Sequence, residues 1–313
     1  MSKCKPVLLA MNLLEPEHQL QIAEHFELVY APEAHLLEPA FAAHGERVEV
    51  VLTIGATGLS AAQMQRLPRL RLVCALGAGF EAIDVAHAKA HGIAVANGVG
   101  TNDDCVADHA LGLIIATLRG IPRLDRLTRQ GVWRSAIGLP PGVSGKRLGI
   151  LGLGTIGAKI ARRAQAFDMP IGYCNRTPKA GVDFAYFADP VALAAWAEVL
   201  VVATPGGAAT RHLVNAEVLQ ALGPQGVLIN IARGSVVDTA ALAAALRSGA
   251  LGAAGLDVYE SEPQPPAALL DLDNVVLTPH MGGWSPEAVQ ASVNRFLENA
   301  RRHYAGEPMV SPL

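Results

Sequence analysis

Leu148-Gly149-Ile150-Leu151-Gly152-Leu153-Gly154-Thr155-Ile156-Gly157 is the stretch whose reading decides the fold. An apolar run ends at Leu151, a GxGxxG spacing follows, and a helical pattern begins at Ala158. Each glycine in this spacing has its own steric task. Gly152 permits a tight turn off the strand, Gly154 lets backbone approach a pyrophosphate, and Gly157 lets the helix pack on the strand. The helix start then offers unpaired N–H groups and a favourable dipole to an anion. A lone GxGxxG is a weak signal. Set between a strand and a helix, and preceded by Val143-Ser144-Gly145-Lys146, it predicts a dinucleotide-binding unit. Gly152, Gly154, Thr155, Ile156 and Gly157 are its expected cofactor contacts.

Working outward, short apolar runs alternate with helical patterns on both sides of this loop. Downstream runs at 148–151, 171–174, 199–203, 227–231, 253–258 and 275–277 predict six strands of a doubly wound sheet. Upstream runs at 7–9, 28–30, 48–54, 72–76 and 93–96, with helical stretches such as 18–26 and 60–67, predict a second parallel sheet. Between the two series, 103–118 reads as a long apolar helix and another follows Pro122. The last pattern, 286–304, is an amphipathic helix with Ser285 as cap and proline at its first position. The fold class expected is therefore α/β, with two doubly wound parallel-sheet domains.

The end of the second strand after the loop bears on which dinucleotide binds. An NAD enzyme would place Asp or Glu there, against the ribose 2′-hydroxyl. This chain has Tyr173-Cys174-Asn175-Arg176-Thr177 and no acid until Asp183. Arg176 can pair with a 2′-phosphate, and Asn175 and Thr177 can donate hydrogen bonds to it. NADP(H) is the expected cofactor, with NAD(H) as the alternative.

Bulk composition excludes several classes. The 313 residues are 51% apolar and 17% charged, with a net charge of −3, so nothing draws nucleic acid or anionic membrane in general. No apolar run reaches the roughly 20 residues of a membrane span. Lys3 and Lys5 ahead of the apolar 7–14 segment imitate a secretory signal. Asn12 interrupts it, however, and Glu15-Pro16-Glu17-His18 stands where a cleavage site belongs. Cys4, Cys74, Cys105 and Cys174 show no metal-ligand spacing and fit reduced, buried thiols in a cytoplasmic protein. His18, His25, His35, His44, His87, His91 and His303 share no ligand spacing and read as surface residues; no metal is expected.

Three later motifs put ionisable residues where a sheet core should not have them. Arg233 follows the 227–231 run, Gly255-Leu256-Asp257-Val258-Tyr259-Glu260-Ser261-Glu262-Pro263 puts Asp257 and Glu262 at the end of the next, and His280 follows 275–277. In open α/β sheets ligands bind outside the carboxyl ends of the strands. Reduction of a 2-keto acid needs these residue types. A guanidinium pairs with the substrate carboxylate and keto oxygen. An imidazolium supplies the proton as hydride reaches C2. A carboxylate beside the imidazole orients it and favours its charged form. Singly, each has a bland alternative: a core histidine, a turn glutamate before Pro263, a surface arginine. Together, behind a phosphate loop, they point to catalysis.

The chain resembles the D-isomer-specific 2-hydroxyacid dehydrogenase family, in pattern most like its NADPH-dependent glyoxylate/hydroxypyruvate reductases. The resemblance runs over essentially the whole sequence. It rests on Gly77-Ala78-Gly79-Phe80-Glu81-Ala82-Ile83-Asp84, the stretch 97–110 with Val106-Ala107-Asp108-His109-Ala110, the glycine loop, 230–238, 256–263 and Pro279-His280. It implies that Arg233 binds substrate, that His280 is the acid/base paired with Glu262, and that Asp257 holds the nicotinamide carboxamide. It also implies that backbone N–H groups at Ala78 and Gly79 grip the substrate carboxylate. Thr204, Pro205, Thr210, Ile231 and Ala232 would lie along the cofactor. The implied domains are 1–99 with 284–313 for substrate, flavodoxin-like, and 100–283 for NAD(P), Rossmann-like, with hinges near 98–101 and 281–285.

Some positions depart from the family pattern. Gly206-Gly207-Ala208-Ala209-Thr210 replaces the usual proline-leucine-threonine run, which puts contacts there in doubt. Asp108 stands where glutamate is frequent, and Trp284 where a small residue is common. Trp284 fits either a pocket wall or packing at the hinge. Trp133 fits either a dimer arm or simple structure. The apolar 102–130 segment suggests a homodimer, since such an arm alone would leave apolar surface exposed. Other functions open to the same framework are a sibling dehydrogenase of 2-ketogluconate, another 2-hydroxy acid or phosphite, and a nucleotide-sensing corepressor-like protein.

Overall fold

The structure, a computed structural model, describes residues 5–313; Lys3 and Cys4 lie outside the described residues. The chain divides into two compact units, one comprising the residues up to Asn102 together with Gly283–Leu313, the other Asp103–Gly282.

In the first unit the strands are β1 (Val7–Ala10), β2 (Glu27–Tyr30), β3 (Val48–Thr53), β4 (Leu72–Ala75) and β5 (Ala94–Ala96). They form a parallel sheet in the order β2-β1-β3-β4-β5, a flavodoxin-like arrangement. Helices α1 (Pro16–Ala23), α2 (Ala34–His44), α3 (Ala61–Met64) and α4 (Val85–Ala90) connect them. The helix expected over 60–67 is shorter than its apolar pattern. It starts on a capping box in which Ser60 and Gln63 satisfy each other's backbone N–H groups. His18 departs from the surface placement expected of it. It lies on the inner face of α1 at 3% exposure, because the helix turns that side toward the core.

The second unit opens with α5 (Asp103–Arg119) and α6 (Ile121–Arg129). The apolar face of α5, from Val106 through Leu118, is buried against strands of its own unit. Burying each such side chain contributes about 1.5–3 kcal/mol. The large apolar side chains that stand exposed in the 102–142 region are later ones: Ile121, Trp133 and Leu139. The remaining elements are β6 (Leu148–Leu151), α7 (Thr155–Ala164), β7 (Ile171–Cys174), β8 (Ala185–Phe187), α8 (Pro190–Trp196) and β9 (Val199–Val202). They continue with α9 (Ala216–Leu222), β10 (Val227–Asn230), α10 (Thr239–Ser248), β11 (Ala253–Leu256) and β12 (Val275–Leu277). The last helix, α11 (Pro286–Ala305), belongs to the first unit. Ser285 caps it by accepting from the Ala288 N–H, with Pro286 at its first turn.

The second sheet has seven parallel strands in the order β12-β11-β10-β9-β6-β7-β8, not six. The addition is β8, a three-residue edge strand. Ala185-Tyr186-Phe187 is partly exposed and too short to show a buried run. With β8 counted, the six strands β6 to β11 follow the dinucleotide-fold order, reversing between β6 and β9. The registers matter for function. Leu151 is level with Cys174 and Val202, Asn230 with Val202, and Leu256 with Asn230 and Leu277. Gly152, Asn175, Ala203, Ile231, Asp257 and Thr278 consequently leave the sheet along one edge.

Candidate active site

The glycine loop leaves β6 at that edge. Gly152 has φ 102°, and a Cβ there would lie 2.8 Å from the Ala203 carbonyl oxygen. At Gly157 a Cβ would lie 2.3 Å from the Gly152 oxygen, so helix α7 could not sit this close to its own strand. At Gly154 a side chain would enter open space, the space a pyrophosphate needs. Gly154 is also the N-cap of α7 and supplies no side-chain cap, so the first N–H groups face outward at Thr155 and Ile156. These residues fit a dinucleotide phosphate.

Asn175 is engaged locally. Its Oδ1 accepts from the Leu153 N–H at 2.7 Å and holds the glycine loop to the end of β7. Arg176 and Thr177 stand exposed beside it. Lys179, not anticipated from the sequence, reaches the Leu153 carbonyl at 3.3 Å. Further along the edge, Thr210 Oγ1 donates to the Pro205 oxygen at 2.8 Å and closes the 204–210 loop. Ile231 and Ala232, after β10, are buried.

Asn230, buried at the end of β10, shapes the turn that carries Arg233. Its Oδ1 accepts from the Ala232 N–H at 3.1 Å, and its Nδ2 donates to the Arg233 oxygen at 3.1 Å. Arg233 Nη1 donates to the Ala232 oxygen at 2.7 Å. Only glycine fits at 234, since a Cβ would lie 1.9 Å from the Tyr259 carbonyl carbon. The Arg233 turn is thereby pressed onto the loop that carries Glu262.

Glu262 and His280 are paired. Glu262 Oε2 meets His280 Nδ1 at 2.9 Å, while Oε1 accepts from the Tyr259 N–H at 2.8 Å. Tyr259 in turn donates its hydroxyl to the Thr278 carbonyl at 2.6 Å, with the Leu256 carbonyl 3.1 Å away, tying β11 to the strand end that carries His280. The hydrogen bond that His280 Nδ1 donates to Glu262 raises the pKa of His280 above its ordinary value. Burial opposes this, the charges of Glu262 and Asp257 add to it, and Arg233 works against it. Burial alone would raise the Glu262 carboxyl. Hydrogen bonds from His280 and the Tyr259 N–H, with the charges of His280 and Arg233, instead bring it below its ordinary range. The three side chains are thus electrostatically one group. With Nδ1 committed to Glu262, the proton available for transfer is on Nε2.

Asp257 is buried, and its carboxylate turns into the 278–282 segment. Burial would raise its pKa, but donors from His109, Thr278, the Gly282 N–H and the Met281 N–H hold it at about 2. Ala78 and Gly79 lie in the first unit on the loop after β4, where the Ala78 oxygen accepts from Asn97 Nδ2 at 2.8 Å. Trp284 is in the first unit and Trp133 in the second, both exposed. Cys74 and Cys174 are buried and Cys105 half-buried, all free thiols. Among the described residues no group of three or more His, Cys, Asp or Glu is arranged to hold a metal ion, and no single helix is long and apolar enough to cross a membrane.

Sequence reasoning missed Asn230, Tyr259, Thr278 and His109. The first three are neutral and blend into strand ends. His109 lies on α5, more than 140 residues from its partners. His212 was also missed; its Nε2 meets Glu260 Oε1 at 2.8 Å beside the 204–210 loop.

Comparison with known proteins agrees with this geometry. The family model described as D-isomer specific 2-hydroxyacid dehydrogenase, NAD binding domain, matches residues 111–282. Hydroxyphenylpyruvate reductase of Plectranthus scutellarioides is 41% identical over 273 residues, 87% of each chain. A glyoxylate/hydroxypyruvate reductase of Arabidopsis thaliana is 41% identical over 271 residues, 86% of this chain and 87% of that one. Among solved structures, an NADPH-dependent glyoxylate/hydroxypyruvate reductase of Sinorhizobium meliloti in complex with NADP and malonate superposes with TM-score 0.90. It is 38% identical, and the match covers 99% of this chain and 97% of that one.

Proposed function

This chain belongs to the D-isomer specific 2-hydroxyacid dehydrogenase family, and from that premise we propose that it reduces a small 2-keto acid to the D-2-hydroxy acid, preferring NADPH over NADH. Glyoxylate and hydroxypyruvate are the favoured substrates, since proteins at 38–41% identity carry those names. The observation that carries the reading is the His280–Glu262 pair at 2.9 Å within charge reach of Arg233, on the sheet edge that also holds the glycine loop.

When bound, the nicotinamide supplies a hydride to C2 of the keto acid. Arg233 neutralises the substrate carboxylate and polarises the keto oxygen. His280 Nε2 gives its proton to that oxygen as negative charge develops there. Glu262 favours the charged form of the imidazole and holds its ring plane through Nδ1. In the reverse direction, neutral His280 takes the hydroxyl proton. Gly152 to Gly157 and the α7 N-terminus receive the pyrophosphate, and Arg176 with Thr177 receives the 2′-phosphate, which is the basis for preferring NADPH.

The exposed apolar residues Ile121, Trp133 and Leu139 support a homodimer in which a second copy covers them. Sedimentation of the purified protein tests that. The function is tested by following NADPH and NADH oxidation against a panel of glyoxylate, hydroxypyruvate, hydroxyphenylpyruvate and 2-ketogluconate. Turnover of the first two with NADPH is expected. Absence of turnover with every keto acid would overturn the reading.

A further inference from the structure

His280 adopts a left-handed backbone, φ 57°, which a residue with a Cβ adopts only when its surroundings hold it there. What holds it is Asp257. The His280 N–H donates to the Asp257 carbonyl at 2.9 Å. The next two N–H groups donate to its carboxylate, Met281 to Oδ1 and Gly282 to Oδ2, each at 2.8 Å. A Cβ at Gly282 would come within 2.9 Å of Oδ2 and 3.5 Å of His109 Cδ2, so the turn is pressed against both side chains.

Two further side chains fix the carboxylate itself. Thr278 Oγ1 lies 2.6 Å from Asp257 Oδ1, and His109 Nε2 lies 3.0 Å from Thr278 Oγ1 and 3.3 Å from Oδ1. The direction of these bonds follows from proton counting. A hydroxyl has one proton, and an ionised carboxylate can only accept. Thr278 therefore donates to Asp257 and must accept from His109, whose Nε2 carries a proton. His109 comes from α5 and touches neither Glu262 nor the His280 ring in any hydrogen bond, so it works through the turn alone.

We propose that His109 is a positioning residue for catalysis: the relay from His109 Nε2–H through Thr278 to Asp257 locks the 280–282 turn and so sets the imidazole of His280 against Glu262. The charged groups acting on His280 are Glu262, Asp257 and Arg233. Those near His109 are Asp257 and, one residue back on α5, Asp108 with its partner Arg163. Changing His109 removes none of these charges, so a change in His280 reports how the carboxylate and the turn are held. The kinetic consequence rests on the reductase reading; the titration of His280 does not.

His109→Phe keeps a ring and removes the donor, whereas His109→Gln returns an N–H close to the position of Nε2. Thr278→Val removes the middle link and leaves His109 in place. The test follows the His280 imidazole by NMR across pH, together with kcat and KM for keto acid reduction with NADPH. His109→Phe and Thr278→Val should each lower kcat on the order of tenfold, as misplacement of a catalytic group does, with KM for NADPH unchanged. Both should bring the His280 titration to lower pH, and His109→Gln should restore wild-type behaviour. Wild-type titration and kcat in His109→Phe, with a lower Tm alone, would overturn the proposal. So would a Gln variant as impaired as the Phe variant. If His109→Phe does not fold, Thr278→Val decides. A wild-type protein without turnover would refute the reductase reading, and the His280 titration would still judge this one.

Discussion

Replacing Glu262 by glutamine separates charge from shape at the centre of the site. Glutamine keeps an oxygen for His280 Nδ1 but loses the negative charge 2.9 Å away. Two unit charges near 3 Å interact by about 1.4 kcal/mol in bulk water and about 5.5 kcal/mol at an effective dielectric of 20. The His280 side chain is 46% exposed and that of Glu262 29%, so solvent screens the pair and the value lies toward the lower end. About 1.5–2 kcal/mol corresponds to slightly more than one pH unit. His280 must be protonated to act in reduction, so the rate is full below its pKa and falls above it. In Glu262→Gln that fall in kcat/KM should therefore move to lower pH by about one unit. The oxidative direction needs neutral His280, and its rise should move the same way. Loss of the Oε1 acceptor for the Tyr259 N–H adds a general decrease on the order of tenfold through a looser loop. Parallel pH–rate profiles of the two proteins with saturating NADPH measure this. Superimposable profiles, whatever the absolute rates, would refute the assignment of Glu262 as the group that raises His280.

Other variants address other parts of the site. Arg176→Asp should lower kcat/KM for NADPH by on the order of 10–100-fold while raising that for NADH, since it removes the cation and supplies a ribose-binding carboxylate; an unchanged NADPH/NADH ratio would remove Arg176 from cofactor selection. Asp257 is held at about 2 against an ordinary value of 3.8, so the folded state favours its ionised form by about 2 kcal/mol. Because the folded value is depressed, that stability is complete above the ordinary aspartate range and lost as pH falls toward 2. Urea unfolding of wild type and Asp257→Asn should therefore differ at pH 7 and converge toward pH 2; an equal difference at both would contradict it.

The parts of this protein legible in the sequence are those where sterics or charge leave little choice. Gly152 and Gly157 cannot be another residue without a backbone clash, so their spacing announces the loop. Arg233, Glu262 and His280 announce themselves as ionisable groups after buried strands, where only function accounts for them together. The edge strand β8 was not legible, because three half-exposed residues carry no periodicity. Asn230, Tyr259 and Thr278 were not legible either, because neutral polar residues at strand ends are ordinary until their hydrogen bonds are seen. His109 and His18 both lie on helices. Whether a helical histidine faces solvent, a core or a remote carboxylate depends on tertiary packing, which local pattern does not encode.

The central claim is that His280 transfers the proton in an NADPH-dependent keto acid reduction. The most direct measurement is kcat of His280→Ala with hydroxypyruvate, set beside NADPH binding followed by fluorescence titration. The account predicts a loss on the order of 10²–10⁴-fold in kcat with NADPH affinity retained. A kcat near that of wild type would contradict it.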